Sequence, residues 1–249
     1  MHDIATPISA RDAASLIGWW KDAGVDSFVD EISTPWLGRT APKPVSRYSD
    51  ASVGAAPQLE RPRVAEVLPA TLADFTRWFL SSTDIPEAGP ATFRVAPSGN
   101  PAATLMALVD MPEAGDTHEV LSGEIGDYFN NMLAALKRDR TTTYIAALTP
   151  SRVPTGILPE AALPRLGEIA RHHMALAAPK RVWLMGDAVS RAVLGMDVVS
   201  ARGRQHNINH QGSIMIAVAS YHPRFLFRNP RRKADAWADM QLLIEGIDA

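Results

Sequence analysis

The sequence predicts an α/β protein of three layers, with helices on both faces of a central, mainly parallel four-stranded sheet. Two observations carry this reading. From residue 92 onward, short β-prone apolar runs alternate with segments of helical period. The runs are apolar at successive positions, as in strands buried on both faces, and such strands imply a parallel sheet covered by helices on either side.

The elements follow in order. A first helix is expected after Ser9, where Ala10, Ala13, Ala14, Ile17, Gly18 and Lys21 share a face. Leu16, Trp19 and Trp20 widen its apolar stripe, and Gly24 is a plausible stop. Residues 35–69 hold Pro35, Pro42, Pro44, Pro57, Pro62 and Pro69 with little periodicity, and read as a linker or extended wrap. The chain is therefore divided into an N-terminal helical extension, 1–69, and an α/β/α domain, 70–249. Thr71 caps the next helix, with Asp74 three residues on in capping-box-like spacing and Phe75, Trp78 and Phe79 on the apolar side.

Thr104–Asp110, Thr142–Leu148, Arg181–Met185 and Ser213–Ala219 are the four expected strands. Between them, Gly126–Lys137 places Phe129, Met132, Leu133 and Leu136 at helical spacing. Further helices are expected near Leu163–Ala177 and from Gly186-Asp187 to Leu194. A long closing helix spans Pro230–Ile247, with Trp237, Leu242 and Leu243 inward.

Composition narrows the function classes. The chain is 46% apolar and 21% charged, ordinary for a well-cored globule. Its formal net charge of −2 excludes a generally basic nucleic-acid coat. The charges are unevenly spread: residues 1–150 carry 12 basic and 19 acidic side chains, whereas 151–249 carry 13 and 8. A basic half is a weak pointer to a polyanionic partner. With no cysteine, disulfides, thiolate zinc sites and cysteine nucleophiles are excluded. No apolar run approaches the roughly 20 residues of a membrane span, and the first residues lack a secretory signal pattern. The expected compartment is the cytoplasm, nucleoid-associated if the protein meets DNA.

In a parallel sheet the chemistry sits at the carboxyl ends of the strands. Those ends are Asp110-Met111-Pro112, Leu148-Thr149-Pro150-Ser151-Arg152, Gly186-Asp187 and Ser220-Tyr221-His222-Pro223. They form the candidate site on spacing alone.

The most specific stretch is Tyr221-His222-Pro223-Arg224-Phe225-Leu226-Phe227-Arg228-Asn229-Pro230, followed by Lys233 through Leu243. It resembles the C-terminal signature of the uracil-DNA glycosylase superfamily. The likeness is greatest to the iron–sulfur (family 4, thermophile-type) branch, where Y-H-P-S-x-L-x-R-N-P precedes the last helix. Ser98–Leu105, Tyr144-Ile145, Met185–Ala188 and Arg202-Gly203-Arg204 resemble other family segments in the same order, so the likeness covers roughly residues 70–247. It implies hydrolysis of the N-glycosidic bond of a flipped-out uracil or other deaminated base. His222 would stabilise the leaving base and Asp110 would orient water or stabilise the sugar cation. Arg224 and Arg228 would meet phosphates, with Arg152, Arg202 and Arg204 as further DNA-binding candidates.

The family's patterns are altered in several places. Its G-E-x-P-G motif stands here as Val109-Asp110-Met111-Pro112-Glu113, with the glycines lost. Glu113 is read either as a substitute carboxylate or as a surface residue. The base-pocket positions are Met111, Pro112, Leu121 and Ala147. Leu121 stands for the aromatic that stacks on uracil and Ala147 for the asparagine that reads its edge. The cluster cysteines fall at Ser151 and near Ala162, so the resemblance implies a cysteine-free, cluster-free relative with no cofactor. His206 and His210 read as a polar loop before a strand, with no metal assigned. His172-His173 reads as a solvated helix face. Two functions stand: a glycosylase with an altered pocket, acting on single-stranded or lesion-containing DNA, or a silent descendant that binds DNA or a repair partner.

Overall fold

The computed structural model describes residues 68–210 and 212–247, all within the unit Glu60–Ala249. The expected helix after Ser9 and the proline-rich stretch to residue 67 lie outside the described residues.

The four expected strands form the middle of one sheet. They are β2 (Leu105–Val109), β3 (Thr143–Ala147), β4 (Arg181–Met185) and β6 (Ser213–Ser220). All neighbouring pairs among them are parallel. Among the described residues the sheet has six strands, not four: with β1 (Ser98–Gly99) and β5 (Gln205–His210) the order is β1-β3-β2-β4-β6-β5. The two additions are antiparallel edges, β1 on β3 and β5 on β6. Each has a reason to escape a hydrophobicity reading. β1 is two residues long, and its Gly99 lies at φ +85°, where an added Cβ would fall 2.0 Å from the Thr143 carbonyl oxygen. β5 is polar along nearly its whole length, with only Ile208 buried, as suits an edge strand. His206 and His210 therefore lie on a strand, not in the expected loop.

Strand alternation sorts the side chains into two cores. Met106, Leu108, Tyr144, Ala146, Val182 and Leu184 face one side. There they meet α1 (Leu72–Ser81), α3 (Leu163–Ala177) and α4 (Asp187–Leu194) through Phe75, Phe79, Leu166, Ile169 and Val189. Leu105, Ala107, Val109, Ile145 and Trp183 face the other, against Phe129, Met132 and Leu133 of α2 (Gly123–Ala135). At roughly 1.5–3 kcal/mol for each fully buried large apolar side chain, both faces of the central strands are strongly specified.

The helices end where local chemistry dictates. Thr71 Oγ1 accepts from the Asp74 N–H at 3.1 Å and donates to its carboxylate at 2.7 Å, as the capping spacing predicts. In α2, Gly126 packs so closely that a Cβ would sit 2.1 Å from the Leu121 carbonyl oxygen. A short α5 (Val198–Ala201) and α6 (Pro223–Arg228) precede the closing helix α7 (Lys233–Ile244). This last helix turns Ala236, Met240 and Leu243 inward. Leu242 is half-buried and Trp237, expected inward, is 43% exposed. The inward stripe runs i, i+4, i+7 from Ala236, which rotates Trp237 outward.

His172 and His173 also correct the reading of a solvated face: both are buried. His173 Nε2 is 2.9 Å from the Tyr144 hydroxyl, and burial pulls its pKa down to about 3, with His172 adding to the shift. His172 donates through Nε2 to the Pro69 carbonyl at 2.8 Å. Among the described residues, no helix is long and apolar enough to cross a membrane.

Candidate active site at the strand ends

β2 is flanked by β3 on one side and β4 on the other, so the chain steps from β2 to β3 in one direction and then crosses back over β2 to β4. Such a switch point opens a crevice at the carboxyl ends. Asp110 leaves β2, Gly186 leaves β4 and His222 leaves β6, and the three converge there.

His222 caps α6: its Nδ1 accepts the Arg224 backbone N–H at 3.0 Å. With Nδ1 the acceptor, this network assigns the proton of the neutral ring to Nε2. That N–H is buried and has no hydrogen-bond partner among the described residues. Asp110 Oδ1 lies 3.4 Å from it. Burial lowers the His222 pKa to about 4; Asp110 opposes the shift, and Arg224 and Arg152 add to it. The imidazole is therefore neutral at pH 7 and holds an unspent donor. Gly186 makes its position possible: at φ +102°, a Cβ there would lie 3.2 Å from that of His222.

The carboxylates are held by arginines. Asp110 Oδ1 accepts the Met111 N–H at 2.8 Å, and Oδ2 receives Arg224 Nη2 at 2.8 Å. Arg224 Nη1 reaches Glu113 Oε1 at 3.0 Å. Arg152 Nη1 approaches the other Glu113 oxygen at 3.4 Å and donates to the Pro112 carbonyl at 3.2 Å. Asp110, Arg224, Glu113 and Arg152 thus form one alternating chain of charge across two loops and the first turn of α6. Glu113 is not a surface residue, its side chain being 12% exposed. Burial raises its pKa, although Arg224 and Arg152 pull the other way.

This chain walls off two openings. A cleft of about 740 Å³ is lined by Asp110, His222 and Arg224, with Gly156–Leu158, Gly186–Ala188, Val199 and Phe225 around it. A second, of about 620 Å³, lies on the Glu113 and Arg152 side, beneath the exposed Phe93. Of the expected base-pocket positions, Pro112 lines this second opening. Met111, Leu121 and Ala147 are buried in the two cores and line neither opening.

The expected phosphate contacts separate in the same way. Arg224, expected on phosphate, is engaged by Asp110 and Glu113. Arg202, expected on DNA, pairs at 3.0 Å with the fully buried Asp239, which also accepts from Ser220 Oγ and the Gly203 N–H. Burial raises the Asp239 pKa against these contacts. Arg204 is exposed and donates to the Ser200 carbonyl, away from the cleft lining. Arg228 is exposed on the cleft rim.

Sequence reasoning missed Asp116. Its carboxylate accepts the N–H groups of Glu113, Leu121 and Ser122 at 2.7–2.8 Å and the Ser122 hydroxyl at 2.5 Å. Arg140 donates to the Val120 and Leu121 carbonyls on the same loop. Together they hold Leu121 at φ +60°, a region costly for a branched side chain. The signal was an acid inside a Gly/Asp/Thr turn, a setting where carboxylates bind their own backbone.

Strands covered on both faces, with an acid and a neutral imidazole facing across the switch point, define a three-layer α/β/α protein with a polar crevice at its strand ends. The family model of the Uracil DNA glycosylase superfamily matches residues 96–241, and the chain belongs to that superfamily. No curated protein matches it. The iron–sulfur cluster implied by the resemblance to one branch does not fit these residues. The chain has no cysteine, and Ser151, at one expected ligand position, is buried and donates to the Ala88 carbonyl at 2.6 Å. Ala162, at another, packs in the same core as Ala88, Phe79 and Leu166.

Proposed function

We propose that this protein is a uracil-DNA glycosylase-like repair protein that hydrolyses the N-glycosidic bond of a flipped-out deaminated base. The observation that carries the reading is the buried, neutral His222 with an unspent Nε2–H, beside Asp110 and facing a cleft. Leaving a buried donor unpaired costs roughly 1–3 kcal/mol. That cost is recovered if a substrate acceptor meets the donor in the transition state.

As the glycosidic bond breaks, its electrons pass to the base, and negative charge grows on a carbonyl oxygen. A neutral Nε2–H donor placed there stabilises that charge without itself having to lose a proton. Asp110 supplies a fixed negative charge for the sugar cation. Arg224 occupies its Oδ2, so Oδ1 is the oxygen turned to His222; it accepts one bond, from the Met111 N–H, and its remaining lone pair orients the attacking water, whose proton passes to the departing base. In this reading Arg224 positions the acid and does not grip phosphate, and Arg228 is the phosphate candidate on the rim. Met111, Leu121 and Ala147 serve as packing behind the cleft, so a base would be held mainly by the cleft's other walls.

The test is incubation of the purified chain with single- and double-stranded oligonucleotides carrying uracil, hypoxanthine or xanthine, followed by alkali. Alkali-sensitive breaks that His222→Ala and Asp110→Asn each lower by about 10²–10⁴-fold support the reading. The closure of Met111, Leu121 and Ala147 to solvent favours one alternative: a silent relative that binds DNA or a repair partner. It predicts no breaks and retained, salt-sensitive binding. If the protein neither cuts nor binds at low salt, both readings fall.

A further inference from the structure

One stretch of chain joins the His222 cleft to a second, unassigned groove. Residues 221–229 supply Tyr221, His222, Arg224, Phe225, Arg228 and Asn229 to the cleft. Residues 226–240 supply Leu226, Lys233, Ala236, Trp237 and Met240 to a groove of about 460 Å³, closed on its far side by Tyr128 and Met132 of α2. Along this stretch apolar rings and cations interleave at the surface. Phe225, Phe227 and Trp237 are 41–46% exposed. Phe225 leans on Tyr221 at 5.0 Å, and Phe227 meets Tyr128 edge-on at 6.0 Å. Lys233 lies 5.2 Å over the Tyr128 ring. Arg228 and Arg231 are exposed and make no ion pair among the described residues.

The opposite rim of the cleft differs. Its cation Arg191 is shared between Asp187 at 2.7 Å and Glu160 at 3.8 Å. One bank thus offers stacking faces and free positive charge, and the other offers charge that is already neutralised. A duplex presents phosphates on both strands and hides its base faces. A single strand presents one backbone and open bases, which is what rings beside a one-sided cationic ridge recognise.

From this we infer that the Phe225–Trp237 stretch, with Tyr128, is a track for single-stranded DNA leading from the His222 cleft into the α2–α7 groove. Bases stack on Phe225, Phe227 and Trp237, and the backbone follows Arg228, Arg231 and Lys233. The inference rests on the proposed reading for the kind of polymer, and on nothing in its chemistry.

The experiment therefore uses undamaged DNA. The full chain is titrated by fluorescence anisotropy with a labelled single strand of about 15 nucleotides, and with the duplex and the RNA of the same sequence. The single DNA strand is expected to bind at least about tenfold more tightly than the duplex. Trp237→Ala should weaken it by about 5–150-fold, the range for one lost stacked base, and leave duplex binding unchanged. Arg228→Ala with Arg231→Ala should flatten the salt dependence. Because Trp237 is exposed, thermal melting should confirm that the variant is folded. Trp237→Phe is a second check, since binding should persist while quenching of tryptophan emission by DNA diminishes. Equal or tighter binding of duplex or RNA, or an unaltered affinity in Trp237→Ala, overturns the track. Absence of binding also overturns it. Failure of base excision with single-strand binding intact would count against the glycosylase chemistry and not against the track.

Discussion

His173 and His222 are both buried imidazoles whose pKa values burial has pulled far down, to about 3 and about 4. On those grounds alone either could mark a site. Their hydrogen bonds separate them. His173 Nε2 meets the Tyr144 hydroxyl inside the core, its ring tilted against Phe75 at 4.4 Å. His222 spends Nδ1 on capping a helix and leaves Nε2–H with no hydrogen bond among the described residues, at the edge of a cleft and 3.4 Å from an acid. Burial perturbs both; only the unspent donor suggests work to do.

Substituting each histidine should therefore damage different properties. His222→Ala should reduce excision by about 10²–10⁴-fold, with a smaller loss of about 0.5–2 kcal/mol in urea unfolding, because it loses the Nδ1 cap but its Nε2–H has no partner to lose among the described residues. His173→Ala should do the reverse. It leaves a cavity beside Phe75 and takes from the buried Tyr144 hydroxyl one of its partners, Thr76 being another, for a loss of about 2–4 kcal/mol in urea unfolding. Excision per folded molecule should hardly change. If His173→Ala lowered excision as far as His222→Ala without destabilising the fold, the contrast drawn from their hydrogen bonds would be wrong.

How much of this was legible beforehand follows from the same physics. The four central strands declare themselves because both faces are buried, and Leu105–Val109 and Thr143–Ala147 need no polar alternation. β5 did not, since a polar edge strand and a polar loop have the same composition. His172-His173 looked solvated because adjacent helical positions rarely both face a core. Here α3 is covered by α1 as well as by the sheet, and its buried arc widens to include both. At the site, strand-end position and motif brought out Asp110 and His222. The role of Arg224 did not emerge, because a sequence gives no sign that a guanidinium will fold back onto carboxylates more than a hundred residues away.

Acid should affect the two histidines in the same direction but over different ranges. Both folded pKa values lie below the ordinary value near 6.5, so the unfolded chain binds more protons once the pH drops below it. Stability is full above about pH 6.5 and declines as the pH falls. The His222 contribution to that decline ends near pH 4 and the His173 contribution near pH 3. At pH 5 each should cost on the order of 2 kcal/mol. Urea midpoints across this range should show a shallower slope for His222→Gln down to about pH 4, and for His173→Phe down to about pH 3. Excision offers a sharper check. A neutral His222 donor predicts no loss of rate on crossing pH 6.5 downward, and an acid limb only near pH 4. A limb at 6.5 would mean the ring titrates as if exposed.

The smallest expected effect comes from the cluster-like positions, where the contrast between spent and unspent groups applies again. Ser151 Oγ donates to the Ala88 carbonyl at 2.6 Å and Thr149 Oγ1 donates to the Ser151 carbonyl at 2.9 Å, so this loop closes on its own hydrogen bonds. Ser151→Ala removes one of them but leaves a carbonyl, which tolerates loss better than a buried N–H. A cost of about 1 kcal/mol is expected, read as a small fall in the urea midpoint with excision unaltered. Ser151→Cys should be no more than mildly destabilising and should confer no iron binding, because a lone thiolate lacks the partners a cluster requires. Were Ser151→Ala to abolish excision with stability intact, Ser151 would belong with His222 and not with His173.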